Sequence, residues 1–151
     1  MCFCLYLATS ADPPVIPCHG PVGNGKIWTR RLREYQKAIR DKFLLPCVTE
    51  VGSDRGCGCG FRHDEGAVHR HDYDPSDTQP NHADLVAFLA EHCGTESFVE
   101  LYGCWAGDEL QEVRDRREIE LAELADKQFY FCMNGYCRVR MPGAGNDSPS
   151  R

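Results

Sequence analysis

Apolar side chains run without a break through CFCLYLA at residues 2–8. A short continuous apolar run of this kind predicts a strand buried on both faces. Asp12, Pro13, Pro14 and Pro17 then interrupt regular structure, because proline fixes φ and removes a backbone donor. From Trp28 the period changes. Trp28, Leu32, Tyr35, Ile39 and Phe43 follow at spacings of four, three, four and four, which predicts one amphipathic helix across 28–43. Pro46 ends it, and PCVTEV (46–51) predicts a second strand.

A glycine-rich segment follows at 52–60, then a polar stretch from His63 to Pro80 that reads as a long surface loop. Asn81 is a good N-cap for HADLVAFLAEHC, and Gly94 a good stop after it. SFVELYGCW (97–105) predicts a third strand, and the charged run 108–127 a short strand near Glu118–Leu121 with a brief helical turn. In QFYFCMNGYCRVRM (128–141) the Asn134-Gly135 pair predicts a tight β-hairpin, with Cys132 facing Cys137 across it. The expected architecture is a single α+β domain over 1–141, its mixed or mostly antiparallel sheet covered by two main helices and ending in a C-terminal β-hairpin. Residues 142–151 read as a flexible tail.

Charge narrows the partners. Residues 1–70 carry a net charge of +3 and residues 71–151 a net charge of −9, within a total of −6. The acidic half argues against general nucleic-acid binding, which needs clustered lysine and arginine. Arg30, Arg31, Arg33, Lys37, Arg40 and Lys42 fall on the first predicted helix, where they read as a solvated face. That face, or the acidic run 108–126, is what a protein partner would meet. MCFCLYLATSADPP lacks a basic leader, and no stretch approaches the roughly 20 apolar residues of a membrane span. A cytoplasmic protein is expected, and there ten cysteines are thiols or metal ligands rather than a disulfide framework. A chain of 151 residues can also bury a core without cross-links, so the cysteines are not needed merely to hold a fold.

The chemistry concentrates in RGCGCGF (55–61). Cys57 and Cys59 are closer than the usual zinc spacing, but flanking glycines let the chain bend enough for both sulfurs to reach one ion. Cys104, at a predicted strand end, and His63, four residues beyond Cys59, complete the candidate set: Cys57, Cys59, Cys104 and His63, with zinc as the metal. His69, His71, Asp72 and Asp74 form another cluster in the polar loop. A second reading is a nucleophilic or redox-active thiol at Cys57 or Cys59, activated by Arg55, Arg62 or His63. A third is a sharp corner whose cysteines simply pack, in a protein that binds a partner without chemistry.

The remaining signals read as structure. GPVGNGKI (20–27) fits a phosphate-loop pattern, but Ile27 stands where a magnesium-holding Ser or Thr is needed. Cys2, Cys4, Cys47 and Cys93 read as core, and His19, His82 and His92 as surface or capping residues. In YGCWAGDE (102–109), Trp105, Asp108 and Glu109 read as an acidic turn at a sheet end.

The MC start before an apolar strand, GCGCGF and ELYGCWAGDE together resemble a family of small uncharacterised bacterial proteins. The resemblance covers most of residues 1–140 and implies a bacterial, cytoplasmic, single-domain protein. It implies no activity and assigns no catalytic residue. Cys4, Cys47, Cys132 and Cys137 lie outside its pattern.

Overall fold

Strand β1 (Phe3–Thr9) is buried along its whole length, as its unbroken apolar run predicts. Its two faces carry two separate cores. Residues 2–18, 27–53, 56–64 and 78–143 are described in the computed structural model. Around β1 stand β2 (Trp28–Arg31), β3 (Cys47–Gly52), β4 (Phe98–Trp105), β5 (Asp115–Glu120) and β6 (Gly135–Arg140), in the order β2-β3-β1-β4-β6-β5. All neighbours are antiparallel except β5 and β6, so the sheet is mixed and the domain is α+β.

One face buries Phe3, Leu5 and Leu7 with Val99, Leu101 and Val139, beneath Leu85, Phe88 and Leu89 of helix α1 (Gln79–His92). The other buries Cys4, Tyr6 and Ala8 with Tyr102, Cys104 and Tyr136, beneath Ile39 of a 3₁₀ helix over Glu34–Lys42. Because β1 alternates between two apolar layers, its sequence shows no polar–apolar alternation.

The helix expected across 28–43 divides. Trp28–Arg31 is strand β2, and only Glu34–Lys42 is helical, as a 3₁₀ helix. The stripe Trp28–Leu32 satisfies a helical period, but tertiary partners favour the extended form. Thr29 Oγ1 donates to the Pro14 carbonyl at 2.5 Å and accepts from the Ile16 N–H at 2.8 Å. Arg30 lies opposite Glu50 on β3 and pairs with it at 2.6 Å. The Arg33 N–H then donates to Gln36 Oε1 at 2.8 Å, which starts the helix after the strand. Of the basic run, Arg30 is thus bound to Glu50, Lys37 pairs with Glu34, and Lys42 donates to the Gln111 carbonyl.

The C-terminal strand forms, but its partners are not the expected ones. β6 lies between β4 and β5, and the run 128–133 does not pair with it. Phe131 instead bridges His63: its N–H donates to the Arg62 carbonyl at 2.9 Å, and its carbonyl accepts from the Asp64 N–H at 3.0 Å. Asn134 adopts a positive φ (54°), in a turn closed by Gly135 N–H donating to the Cys132 carbonyl. Cys137 is buried opposite Leu101 and Arg117, not across from Cys132. Burying Phe129 and Phe131 against His82 outweighs the local hairpin.

His82 also departs from expectation, being buried rather than a surface residue. Its Nε2 accepts from the Arg62 N–H at 2.8 Å, and its Nδ1–H donates to the Leu124 carbonyl at 2.7 Å. Burial lowers its pKa to about 4; the Leu124 hydrogen bond opposes that and nearby Arg62 adds to it. The folded ring is therefore neutral, while an unfolded histidine protonates near 6.5. Its contribution is complete above pH 6.5 and is lost as pH falls from 6.5 towards 4, by about 3 kcal/mol. Urea melts at stepped pH are expected to lose stability across that window; a flat profile would show that the ring accepts a proton in place.

No described helix is long and apolar enough to cross a membrane. The phosphate-loop stretch (all but Ile27), His19, Arg55 and the cluster His69, His71, Asp72 and Asp74 lie outside the described residues.

Candidate metal centre

The glycine–cysteine segment turns sharply after β3 and folds back onto the start of β1. The buried Ser53 makes the bend: its N–H donates to the Cys57 carbonyl at 2.9 Å, and its carbonyl accepts from the Gly56 N–H at 3.2 Å. Gly56 takes φ +71°, a left-handed conformation that glycine adopts without strain. Gly58–Gly60 then form one 3₁₀ turn, capped by Cys57, whose sulfur accepts from the Cys59 N–H at 3.3 Å. Asn81, the expected helix cap, serves this corner instead: its side-chain amide donates to the Gly60 carbonyl at 2.8 Å. Thr78 stands at the N-cap of α1.

The corner is fitted against β1 itself. The Phe3 N–H donates to the Cys59 sulfur at 3.2 Å. A Cβ on Gly58 would lie 2.7 Å from the Phe3 carbonyl oxygen and 3.2 Å from the Leu5 nitrogen, both backbone atoms that cannot yield as a side chain can. Gly58→Ala is therefore expected to lift the corner off β1, with an overpacking cost of about 1–3 kcal/mol. Thermal melts of that variant check this; a wild-type melting temperature would show that the contact is slack.

This approach brings three thiols together. The sulfurs of Cys2, Cys57 and Cys59 all lie within 4.8 Å of one another. Around a zinc ion with Zn–S bonds of about 2.3 Å, tetrahedral geometry separates sulfurs by about 3.8 Å. A contraction of at most about an ångström, within the reach of side-chain rotation, converts one arrangement into the other. Cys2 is exposed, and Cys57 and Cys59 are half-buried, so an ion has a path from solvent. Two of the sulfurs already accept backbone N–H bonds, the kind of support that holds the charge of a metal-bound thiolate.

Of the residues expected from sequence, the structure unites Cys57 and Cys59 and separates the others. Cys104 is a correction: it is fully buried opposite Cys4, in the core on the other face of the sheet from Phe3. Strand alternation explains this, since Trp105 next to it packs on the Phe3 side. His63 lies on the Phe3 side, its ring stacked on Phe3 at 4.6 Å and edge-on to Trp105 at 5.5 Å. It does not belong to the thiol group.

Cys2 takes the place expected for Cys104, and it is not a core residue. It precedes the first residue of β1 and is tied to the end of β4 by the Ala106 N–H, which donates to its carbonyl at 2.8 Å. Periodicity could not single it out, because it reads as the first residue of the apolar run. Only the pairing of β1 with β4 and the fold-back of the corner place it beside Cys57. Of the other expected core thiols, Cys4 and Cys93 are buried and Cys47 is half-buried.

Electrostatics disfavour the nucleophilic-thiol alternative at Cys57. Burial and the adjacent thiols of Cys59 and Cys2 push its pKa up to about 12, against the weaker opposing pull of the Cys59 N–H. A reactive thiol needs the opposite shift, from a cation or helix N-terminus. The guanidinium of Arg62 donates to the Phe129 carbonyl at 3.3 Å and is buried there. Glu109, read as part of an acidic turn, is buried, accepting from Tyr6 Oη at 2.9 Å and the Gly107 N–H at 3.0 Å.

Comparison with protein-family models, curated proteins and solved structures finds no match to this chain.

Proposed function

We propose that the protein is a small metal-binding domain in which Cys2, Cys57 and Cys59 hold a soft or borderline cation, with zinc the metal their chemistry suits best. The convergence of three thiols from two distant stretches of the chain carries this reading. Sulfur donors select zinc or copper(I) over hard cations such as magnesium or calcium. The high pKa of Cys57 describes the thiol without an ion; a divalent cation among the three sulfurs reverses the balance by attracting the thiolates that otherwise repel one another. Binding would fasten the N-terminus to the Gly–Cys corner and contribute directly to folding free energy. Such a site belongs to a structural or metal-holding role, in a protein that we read from its GCGCGF likeness as bacterial and cytoplasmic.

The experiment is metal analysis of protein purified under reducing conditions without an affinity metal column, combined with thiol titration. About one zinc per chain, with at least three thiols unreactive until a chelator is added, is the expected result. Metal-free protein that also fails to take up added zinc, cobalt or copper(I) would end the proposal.

A further inference from the structure

Three thiolates leave a tetrahedral zinc ion one donor short. One more thiol stands at the same corner. Cys18 is exposed and lies in the irregular stretch between β1 and β2. A Cβ on Gly56, the residue before Cys57, would meet the Cys18 sulfur at 3.7 Å. The fold brings it there by a defined route. Ile16, two residues earlier, is fixed in both directions by Thr29, whose Oγ1 accepts from its N–H at 2.8 Å and whose own N–H donates to its carbonyl at 3.0 Å. Ile16 also packs against the core on the Phe3 side of the sheet, the side on which Cys59 packs.

We propose that Cys18 is the fourth ligand, which makes the centre a closed four-thiolate site of the structural type rather than an open one. The inference rests on the three-thiol reading above. Before binding, the Cys18 sulfur lies outside the group held within 4.8 Å, so it moves inward on binding. Its exposure leaves it room to turn, and the fixed point at Ile16 keeps it within reach. The closed site joins three separate stretches of chain, at residue 2, residue 18 and residues 57–59. Nothing in the spacing of these cysteines announces it, because the closing thiol lies 39 residues before Cys57 in sequence.

The test uses cobalt(II) as a spectroscopic stand-in for zinc in the full chain, comparing wild type with Cys18→Ser and, as a remote control, Cys47→Ser. The thiolate-to-cobalt charge-transfer band scales with the number of bound sulfurs. Cys18→Ser is expected to lower it by about a quarter and weaken binding by at least about tenfold, while Cys47→Ser leaves both unchanged. Iodoacetamide labelling read by peptide mass provides a second measure: Cys18 is expected to label quickly in metal-free protein and slowly in zinc-loaded protein. An unchanged band in Cys18→Ser, with Cys18 labelling equally fast with and without zinc, would overturn the proposal and leave the three-thiol centre standing. An equal loss of band in Cys47→Ser would also overturn it, since the loss would not come from coordination. Wild type that takes up no cobalt would remove the three-thiol reading and this inference together.

Discussion

Cys57→Ser is expected to abolish zinc retention while leaving the fold in place. The two effects separate because Cys57 has one role seen in the fold and one that we propose. As a cap, its sulfur accepts the Cys59 N–H, and serine is among the best residues for that position. As a proposed ligand, it would supply one of the three converging thiols, and a serine hydroxyl is a poor substitute for a thiolate towards a borderline metal. Even loss of an outer-shell partner weakens metal sites by about 10–100-fold, so loss of a ligand should cost more than about a hundredfold. Stability gives a second readout. Zinc present at about a thousand times its dissociation constant stabilises the folded state by about 4 kcal/mol, or about 10 °C in melting temperature for a chain of this size. Wild type is expected to show that shift, and Cys57→Ser to melt at the metal-free temperature with or without zinc. Equal zinc content in both proteins, measured by elemental analysis, would rule out Cys57 as a ligand.

Phe3→Ala is expected to give the largest loss of stability, about 3–5 kcal/mol. The Phe3 ring is fully buried, stacks on His63 at 4.6 Å, and approaches Trp105 and Phe131 at centroid distances of 6.4 and 6.2 Å. It also occupies the space in front of two glycines: a Cβ on Gly103 would fall 2.5 Å from Phe3 Cζ, and one on Gly58 would fall 3.0 Å from Cδ1. Removing the ring leaves a cavity at the junction of β1, β4 and the Gly–Cys corner. Because the ring and Gly103 share that volume, their substitutions should not add. Gly103→Ala alone should cost about 1–3 kcal/mol by overpacking, but in the Phe3→Ala background its methyl enters the vacated space and the added cost should shrink or change sign. Chemical denaturation of the two single variants and the double variant measures this coupling. Strict additivity would mean that the ring does not fill the space in front of Gly103.

Much of the fold is carried by local pattern. The apolar run of β1, the stretches that form β3 and β4, and the HADLVAFLAEHC segment within α1 are all present where their sequences predict them. The short strand near 118–121 and the helical turn after it are present too, as β5 and the 3₁₀ segment Leu121–Ala125. Two stretches escape local reading for the same reason. In 28–31 and 128–133 the chain could satisfy a helix or a hairpin locally, but partners distant in sequence supplied more burial and better hydrogen bonds. For the first these were Glu50 and the backbone of Pro14 and Ile16; for the second, the backbone of Arg62 and Asp64 and the ring of His82.

The candidate site divides in the same way. The four glycines around Cys57 and Cys59 already say that the chain bends there and that two thiols are held close, because glycine permits a backbone that other residues resist. Which other thiols join them is not a local property. In one dimension Cys104, at a predicted strand end, reads as the partner and Cys2 as a core residue. Strand alternation sends Cys104 into the opposite core, while antiparallel pairing of β1 with β4 and the fold-back of the corner onto Phe3 bring Cys2 alongside. Backbone conformation follows from a few neighbouring side chains, so local sequence can specify it. Ligand sets depend on strand order and on which face of a sheet each residue occupies, and those emerge only when the whole chain has packed.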